Sequence, residues 1–329
     1  MYALAGLLAH RGHEVTVAAP DPPSAKALRR MGYDSSIARA RMSLLGFTRA
    51  SSAWDMVICL TNTIPPVSLC PRSFLVVQFP FVRLSGLAPR RRLQERALRD
   101  YACITYSEFV RVHLLQRWGL DSSVVNPPVE AGYYDANVKQ RSILAVGRFF
   151  TGGHNKRQDA LIEAFKALAP DLRDGWRLTL MGGTADDDAA RSAVEALSRR
   201  SVGYNIELRV NVTAEALSRA YAEASLFWHA TGYQRPAANP ERAEHFGIST
   251  VEAMSYGCVP LAFDDGGQRE IVTSSAGVLW KDVRELVAAT EDLMRDSLAL
   301  RRLAASAQAQ SKAFSVQEFE RRASRALEL

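Results

Sequence analysis

Four cysteines in 329 residues, none in C-x-x-C spacing, give a zinc ribbon or a secreted disulfide framework nothing to be built from. Cys59, Cys70, Cys103 and Cys258 stand far apart, and a reducing cytoplasm suits them best. No apolar run approaches the roughly 18 residues that a membrane span requires, and the segment after Met1 is amphipathic rather than a signal peptide. Carboxylates in D-x-D spacing, a common hold for a catalytic cation, are confined to Asp186-Asp187-Asp188. These follow Gly182-Gly183 in a polar loop and read as a helix N-terminus, so no metal site is expected. Histidines number six: His10 and His13 flank a helix end, and His229 closes a strand as a structural or ligand-lining residue. What is present is a 47% hydrophobic, 23% charged chain, which excludes fibrous and disordered classes and is long enough for about two domains.

The net charge of +6 is unevenly placed. Residues 1–138 hold 16 basic and 10 acidic side chains, whereas 139–329 hold 25 of each. A basic half suits an anionic surface, either lipid or nucleic acid, but scattered arginines also solvate a surface without any partner. The densest cluster, Arg90-Arg91-Arg92, lacks the interleaved aromatics of a nucleic-acid platform, so nucleic acid is not expected. The inner face of a membrane remains a place where the basic half would dock peripherally.

Strand-like and helix-like segments alternate throughout, which predicts parallel sheets covered by helices on both faces. Val15–Ala19, Met56–Leu60 and Phe74–Val77 form a first series of short apolar runs. Ser142–Val146, Arg177–Met181, Ile206–Val210, Ser225–Trp228 and Val259–Phe263 form a second. Between them Leu161, Ile162, Phe165 and Leu168 make one helical stripe. The stiff turn Asn126-Pro127-Pro128-Val129 precedes a polar stretch, predicting an N-terminal domain over 1–138 and a C-terminal one over 139–313. The last segment, 314–329, carries Phe314, Val316, Phe319, Ala323 and Leu327 at helical spacing and is expected to cross back and complete the first domain.

Tyr2 to Ala9 reads as a helix stopped by Gly12 ahead of the strand at Val15, so the chain opens inside a crossover. The strand and Gly-rich loop that normally precede such a helix are expected in an in-frame coding stretch upstream.

The most informative segment runs Glu244-His245-Phe246-Gly247-Ile248-Ser249-Thr250-Val251-Glu252. It predicts Glu244 on a loop after a strand, and Glu252 in the first turn of a helix opened by Gly247 to Ser249. Free N–H groups there form an anion site, and Gly247 permits close backbone approach. A diphosphate would fit. The competing reading is a capping box from Ser249 to Glu252, in which the glutamate only satisfies a backbone donor. Gly147-Arg148-Phe149 follows the first strand of the second domain, and Gly152-Gly153-His154-Asn155-Lys156-Arg157 leads into its first helix. Cations at a helix N-terminus oppose its dipole, so Lys156 and Arg157 make better sense with an anion nearby, although a solvated basic loop is the plain alternative.

Together these residues resemble the donor domain of the retaining GT-B glycosyltransferases of family 4, whose fingerprint is GR-F…K followed by E-x-FG-x-x-x-x-E. The likeness continues through Gly257-Cys258-Val259-Pro260 and Asp265-Gly266-Gly267-Gln268-Arg269-Glu270, and covers about residues 120 to 310. The first half is similar more loosely, through Ala9–Val15, Tyr106–Phe109 and Pro127–Val129.

The resemblance implies an α/β GT-B fold, two doubly wound Rossmann-like domains facing across a cleft. It also implies metal-independent, cofactor-free transfer of a sugar from a UDP- or GDP-linked donor to a hydroxyl of a glycan or lipid-linked acceptor, with retention. Arg148 and Lys156 would hold the diphosphate, Glu252 the ribose hydroxyls, and Glu244 the donor sugar or its transition-state charge. Backbone N–H groups of Phe246, Gly247, Ile248 and Ser249 would contact phosphate and hexose. Family members often carry a histidine near the anomeric centre where this sequence has Gln78-Phe79-Pro80-Phe81. Gln78 is the acceptor-side candidate; a glutamine hydrogen-bonds a hydroxyl but does not exchange a proton near neutral pH. Two other readings stay open: a truncated, non-catalytic nucleotide-sugar-binding remnant, and a GT-B-shaped sugar-nucleotide epimerase.

Overall fold

The structure, a computed structural model, describes residues 2–19, 38–81, 88–149, 155–185 and 187–329. They belong to two compact units, Met1–Pro128 with Phe319–Leu329, and Val129–Glu318.

In the first unit β1 (Thr16–Ala19) pairs in parallel with β2 (Ala38–Arg41). A second parallel sheet holds β3 (Val57–Leu60), β4 (Ser73–Val77), β5 (Ala102–Thr105) and β6 (Ser122–Val124), in chain order. Strand β4 is buried on both faces, as a central parallel strand must be, and its alternation divides the core. Phe74 and Val76 pack with Leu4 and Leu7 of the helix Tyr2–His10, with Ile104 and Val125, and with Phe319, Ala323 and Leu327. Leu75 and Val77 pack on the opposite side with Leu98, Tyr101, Leu114 and Trp118. The final helix, Val316–Leu327, thus lays an i, i+4, i+8 stripe into this core. Arg72 anchors its end through the Leu327 carbonyl at 2.5 Å, and Arg322 bonds the Asn126 side chain.

The second unit has one six-stranded parallel sheet in the order β12-β11-β10-β7-β8-β9. The strands are β7 (Gln140–Val146), β8 (Arg177–Gly182), β9 (Ile206–Val210), β10 (Ala224–His229), β11 (Val259–Phe263) and β12 (Val278–Trp280). The chain winds outward from β7 to β9, then returns to the other side of β7 and winds outward again. Strand order therefore reverses between β7 and β10, and crevices at such reversals, outside the carboxyl ends of the strands, are where ligands bind in open α/β sheets. The stripe expected on the helix Gln158–Ala167 is in place: Leu161, Ile162 and Phe165 are fully buried beside Ile143, Leu178, Leu226 and Trp228. Residues 129–138 pack within this unit. Val129 bridges to Ser315, the Gly132 N–H donates to Ser255 Oγ at 3.1 Å, and the Tyr134 ring lies over Gly257. The division falls at Pro128, inside the predicted stiff turn and ahead of the polar stretch used to place it near 138. Among the described residues no helix is long and apolar enough to cross a membrane.

Candidate functional site

The reversal between β7 and β10 gathers the residues that the motifs single out. Where β7 ends, the loop stays tied to β8: the Gly147 N–H donates to the Met181 carbonyl and the Phe149 N–H to the Gly183 carbonyl, both at 2.9 Å. Phe149 is buried in the core, and Gln158 reaches back from its helix to the Gly147 and Arg148 carbonyls at 3.2 and 3.1 Å. Arg148, between these anchors, is exposed. A Cβ on Gly147 would stand 2.6 Å from Lys156 Cγ, so the glycine is what lets the lysine stem cross the loop.

Lys156 Nζ meets Glu244 Oε2 at 2.6 Å, with both side chains about four-fifths buried at 21% and 16% exposure. Arg157 does something else. It starts the helix with φ 52°, forks onto Asp159 at 3.1 Å, donates to the Tyr233 carbonyl at 2.7 Å and lies over the Tyr233 ring. Its charge is spent within the fold, so of the two adjacent cations only Lys156 faces the site. Gly152, Gly153 and His154, also expected in this loop, lie outside the described residues.

Glu244 stands on the long connection after β10. Its carbonyl accepts the Gly267 N–H at 2.8 Å, and side chains at Gly266 or Gly267 would collide with the Glu244–Phe246 backbone. The Asp265-Gly266-Gly267 turn is thus the seat of the Glu244 loop. A second partner reaches the carboxylate: His229 Nε2 lies 3.1 Å from Glu244 Oε2, with Thr231 Oγ1 at 3.0 Å from the same nitrogen. Burial by itself would raise the Glu244 carboxyl, but the Lys156 charge and the His229 hydrogen bond outweigh it and hold the group well below the usual carboxylate range. Burial lowers His229, and the contact with Glu244 offsets only part of that.

The helix Ile248–Ser255 begins at Gly247, which sits at φ 118° and has no side-chain cap. The first N–H groups of this helix find no acceptor within it, which leaves donors at the Gly247 end for an anion. Phe246 is buried with its ring edge-on to Phe314, whereas Ile248 is 45% exposed. The capping box is absent. Ser249 lies inside the helix and Glu252 in its second turn, where Oε2 accepts from Tyr221 Oη at 2.8 Å. Burial raises the Glu252 carboxyl and the Tyr221 bond lowers it only partly.

Lys156, Glu244 and the Gly247 helix start are therefore brought to one reversal point, Arg148 lies on the loop just after β7, and Glu252 is held separately by Tyr221. In the first unit, Gln78 directly follows β4, where Asn62 grips it: Asn62 Oδ1 accepts from the Gln78 and Phe79 N–H groups at 2.9 and 3.1 Å. Asp187 caps the helix Asp188–Ser201 by accepting from the Ala190 N–H at 2.8 Å, as a helix N-terminus should; Asp186 lies outside the described residues. Among the described residues no three His, Cys, Asp or Glu side chains gather as a metal site would require. A groove of about 200 Å³, lined among others by Arg177, Arg209 and Arg219, runs along the helix Ala214–Glu223 and contains none of the motif residues. Tyr221 and Asn62 carried no signal in the sequence, and His229 was legible as a structural or ligand-lining residue at a strand end, without its partner.

The chain is 27% identical over 230 residues to a mouse GDP-Man:Man(3)GlcNAc(2)-PP-Dol alpha-1,2-mannosyltransferase, covering 63% of this chain and 44% of that protein. It is 30% identical over 172 residues to the Xenopus laevis protein of the same name, covering 48% of this chain and 32% of that protein. The chain thus matches less than half the length of these curated relatives. Among solved structures, a glycosyltransferase from Rickettsia africae aligns with a TM-score of 0.74 at 15% identity, over 99% of this chain and 92% of the other. Anabaena Alr3699/HepE, in complex with UDP-glucose, aligns with a TM-score of 0.72 at 16% identity, over 99% and 94%. The architecture is α/β, of the GT-B class. Residues 133–310, more than half of the sequence, match the glycosyl transferases group 1 family. That match spans the whole β7–β12 sheet and every motif residue around its reversal point, and the chain belongs to this family.

Proposed function

We propose that this chain transfers a sugar from a nucleotide diphosphate donor to a hydroxyl acceptor with retention of anomeric configuration. The observation that carries the reading is the Lys156–Glu244 contact at 2.6 Å, set at the strand-order reversal beside an uncapped helix start. In this reading the diphosphate draws Lys156 toward it, Arg148 joins from the exposed loop, and the N–H groups of Phe246 to Ser249 meet phosphate and hexose. These positive groups neutralise the departing diphosphate, so the proposed reaction needs neither metal nor cofactor. Glu244, kept ionised, orients the donor sugar and supports its positive charge in the transition state. Glu252 takes the ribose hydroxyls, and Gln78 faces the acceptor. The names of the curated relatives make GDP-mannose and a lipid-pyrophosphate-linked glycan the first donor and acceptor to try. The basic first half supports an anionic acceptor and peripheral docking at the cytoplasmic face of a membrane.

Calorimetry with GDP, UDP and their sugars, followed by mass and anomeric NMR analysis of products, tests the reading. One nucleotide sugar is expected to bind and give an acceptor product of unchanged anomeric configuration. Lys156→Ala and Arg148→Ala should each cost about 10²–10³ in rate. A free epimerised sugar would identify an epimerase instead, and binding without transfer to any acceptor would identify a donor-binding remnant.

A further inference from the structure

We propose that His229 is a positioning residue that keeps the Glu244 carboxylate in place and charged while Lys156 is engaged with the donor's diphosphate. The inference rests on the reading above for the second partner of Lys156. Glu244 Oε2 is the shared acceptor of Lys156 Nζ at 2.6 Å and His229 Nε2 at 3.1 Å. The two holds differ in kind. An ammonium on a flexible four-carbon stem follows an incoming anion. The imidazole, 4% exposed at the end of β10, cannot. Once the lysine turns to phosphate, the ring is what remains on the carboxylate.

The hydrogen-bond inventory fixes the ring's protonation. Nδ1 is buried and without a partner. A proton there would be a stranded donor, and the Nε2 lone pair would then face a carboxylate. The neutral ring with its proton on Nε2 avoids both, donating toward Glu244 with Thr231 Oγ1 alongside. Charging the ring would strand the Nδ1–H, and burial opposes it as well. A bare buried ring nitrogen costs stability that an apolar residue would not, so the Nε2 bond is what this histidine contributes. Among the described residues, the other charged group acting on the Glu244–His229 contact is Lys156, from the loop before the helix Gln158–Ala167; Asp265, in the turn that seats the Glu244 loop, is closed into a pair with Arg235. On the Glu244 loop itself, His245 is turned to the Glu241 carbonyl.

The test mimics the departed lysine. In a Lys156→Met protein, the Glu244 carboxyl is followed by carbon NMR with labelled glutamate as pH is lowered, and assigned by its loss in Glu244→Gln. Glu244 is expected to titrate at clearly higher pH in K156M/H229L than in K156M, and to return toward K156M in K156M/H229Q, whose amide reaches the Nε2 position. If the leucine variant does not fold, His229→Asn, polar but too short to reach, replaces it with the same expectation. A merely structural histidine would lower the melting temperature without moving this titration. Superimposable titrations of K156M and K156M/H229L, or of the leucine and glutamine variants, overturn the proposal. The readout needs neither nucleotide nor turnover, so it is decided separately from the search for sugar transfer.

Discussion

The side-chain methylenes of Lys156 cross Gly147 so closely that the loop tolerates no Cβ at that position. The lysine of the GR-F…K motif is thus placed by its glycine, which links backbone geometry to the position of a charge. Gly147→Ala would push the lysine stem away, an overpacking that costs about 1–3 kcal/mol. Loss of nucleotide diphosphate affinity together with a lower melting temperature is expected. Gly183→Ala is the control. Its nearest neighbour would be Asn211 Oδ1 at an ordinary 3.6 Å, and neither property should change.

Gly247 carries two separable demands. Its φ of 118° is a region L side chains avoid, and a Cβ would overlap the buried Gln268 amide. Backbone strain of this kind costs about 1–3 kcal/mol, with the overlap added to it. Gly247→Ala should therefore lose more stability in chemical denaturation than Gly247→Ala combined with Gln268→Ala measured against Gln268→Ala alone. Equal losses would show that Gln268 yields freely and only φ matters.

Much of this site was legible because each signal was local. The runs Ser142–Val146 and Val259–Phe263 are apolar because parallel strands are covered on both faces, and they emerge as β7 and β11. Gly247 marked the helix start through its conformational freedom. What the sequence could not carry were partners made by tertiary packing: Tyr221 reaching Glu252 over 31 positions, Asn62 gripping Gln78, and His229 folded onto Glu244. Local pattern also misled. Serine three before glutamate suggested a capping box, but Gly247 starts the helix one residue ahead of Ile248 and carries Ser249 past the cap position. Adjacent Lys156 and Arg157 looked equivalent, yet the φ of 52° at Arg157 sends its guanidinium to Asp159 and the Tyr233 carbonyl.

Glu244→Gln separates stability from binding. The carboxyl is held well below its usual range in the fold, so its contribution is present above the unfolded value near pH 4.3 and disappears as pH falls through the folded one. The stability gap between wild type and variant should accordingly be widest near neutrality and close in acid. Its size should be about 1–3 kcal/mol, less than for a fully buried pair because the partners keep some solvent. The freed Lys156 leaves nucleotide diphosphate binding intact or tighter, while turnover falls about 10²–10³-fold.

Glu252 has the opposite sign. Burial raises its carboxyl above the usual value, and the 2.8 Å bond from Tyr221 recovers only part. A raised acid favours folding most when protonated, so the contribution is full below the unfolded value near pH 4.3 and is lost as pH rises through the folded one. At neutral pH the ionised side chain therefore burdens the fold, and Glu252→Gln should raise the melting temperature there, with the gain fading in acid. Tyr221→Phe should move stability the other way by about 0.5–1.5 kcal/mol, since it removes a hydrogen bond to a buried acceptor. Binding should discriminate between the groups of the donor. With Glu252 on the ribose, both variants weaken nucleoside diphosphates but leave inorganic pyrophosphate unaffected, whereas Lys156→Ala weakens both. Parallel losses for pyrophosphate and nucleotide in Glu252→Gln would remove the ribose role and leave a carboxyl buried for structure alone.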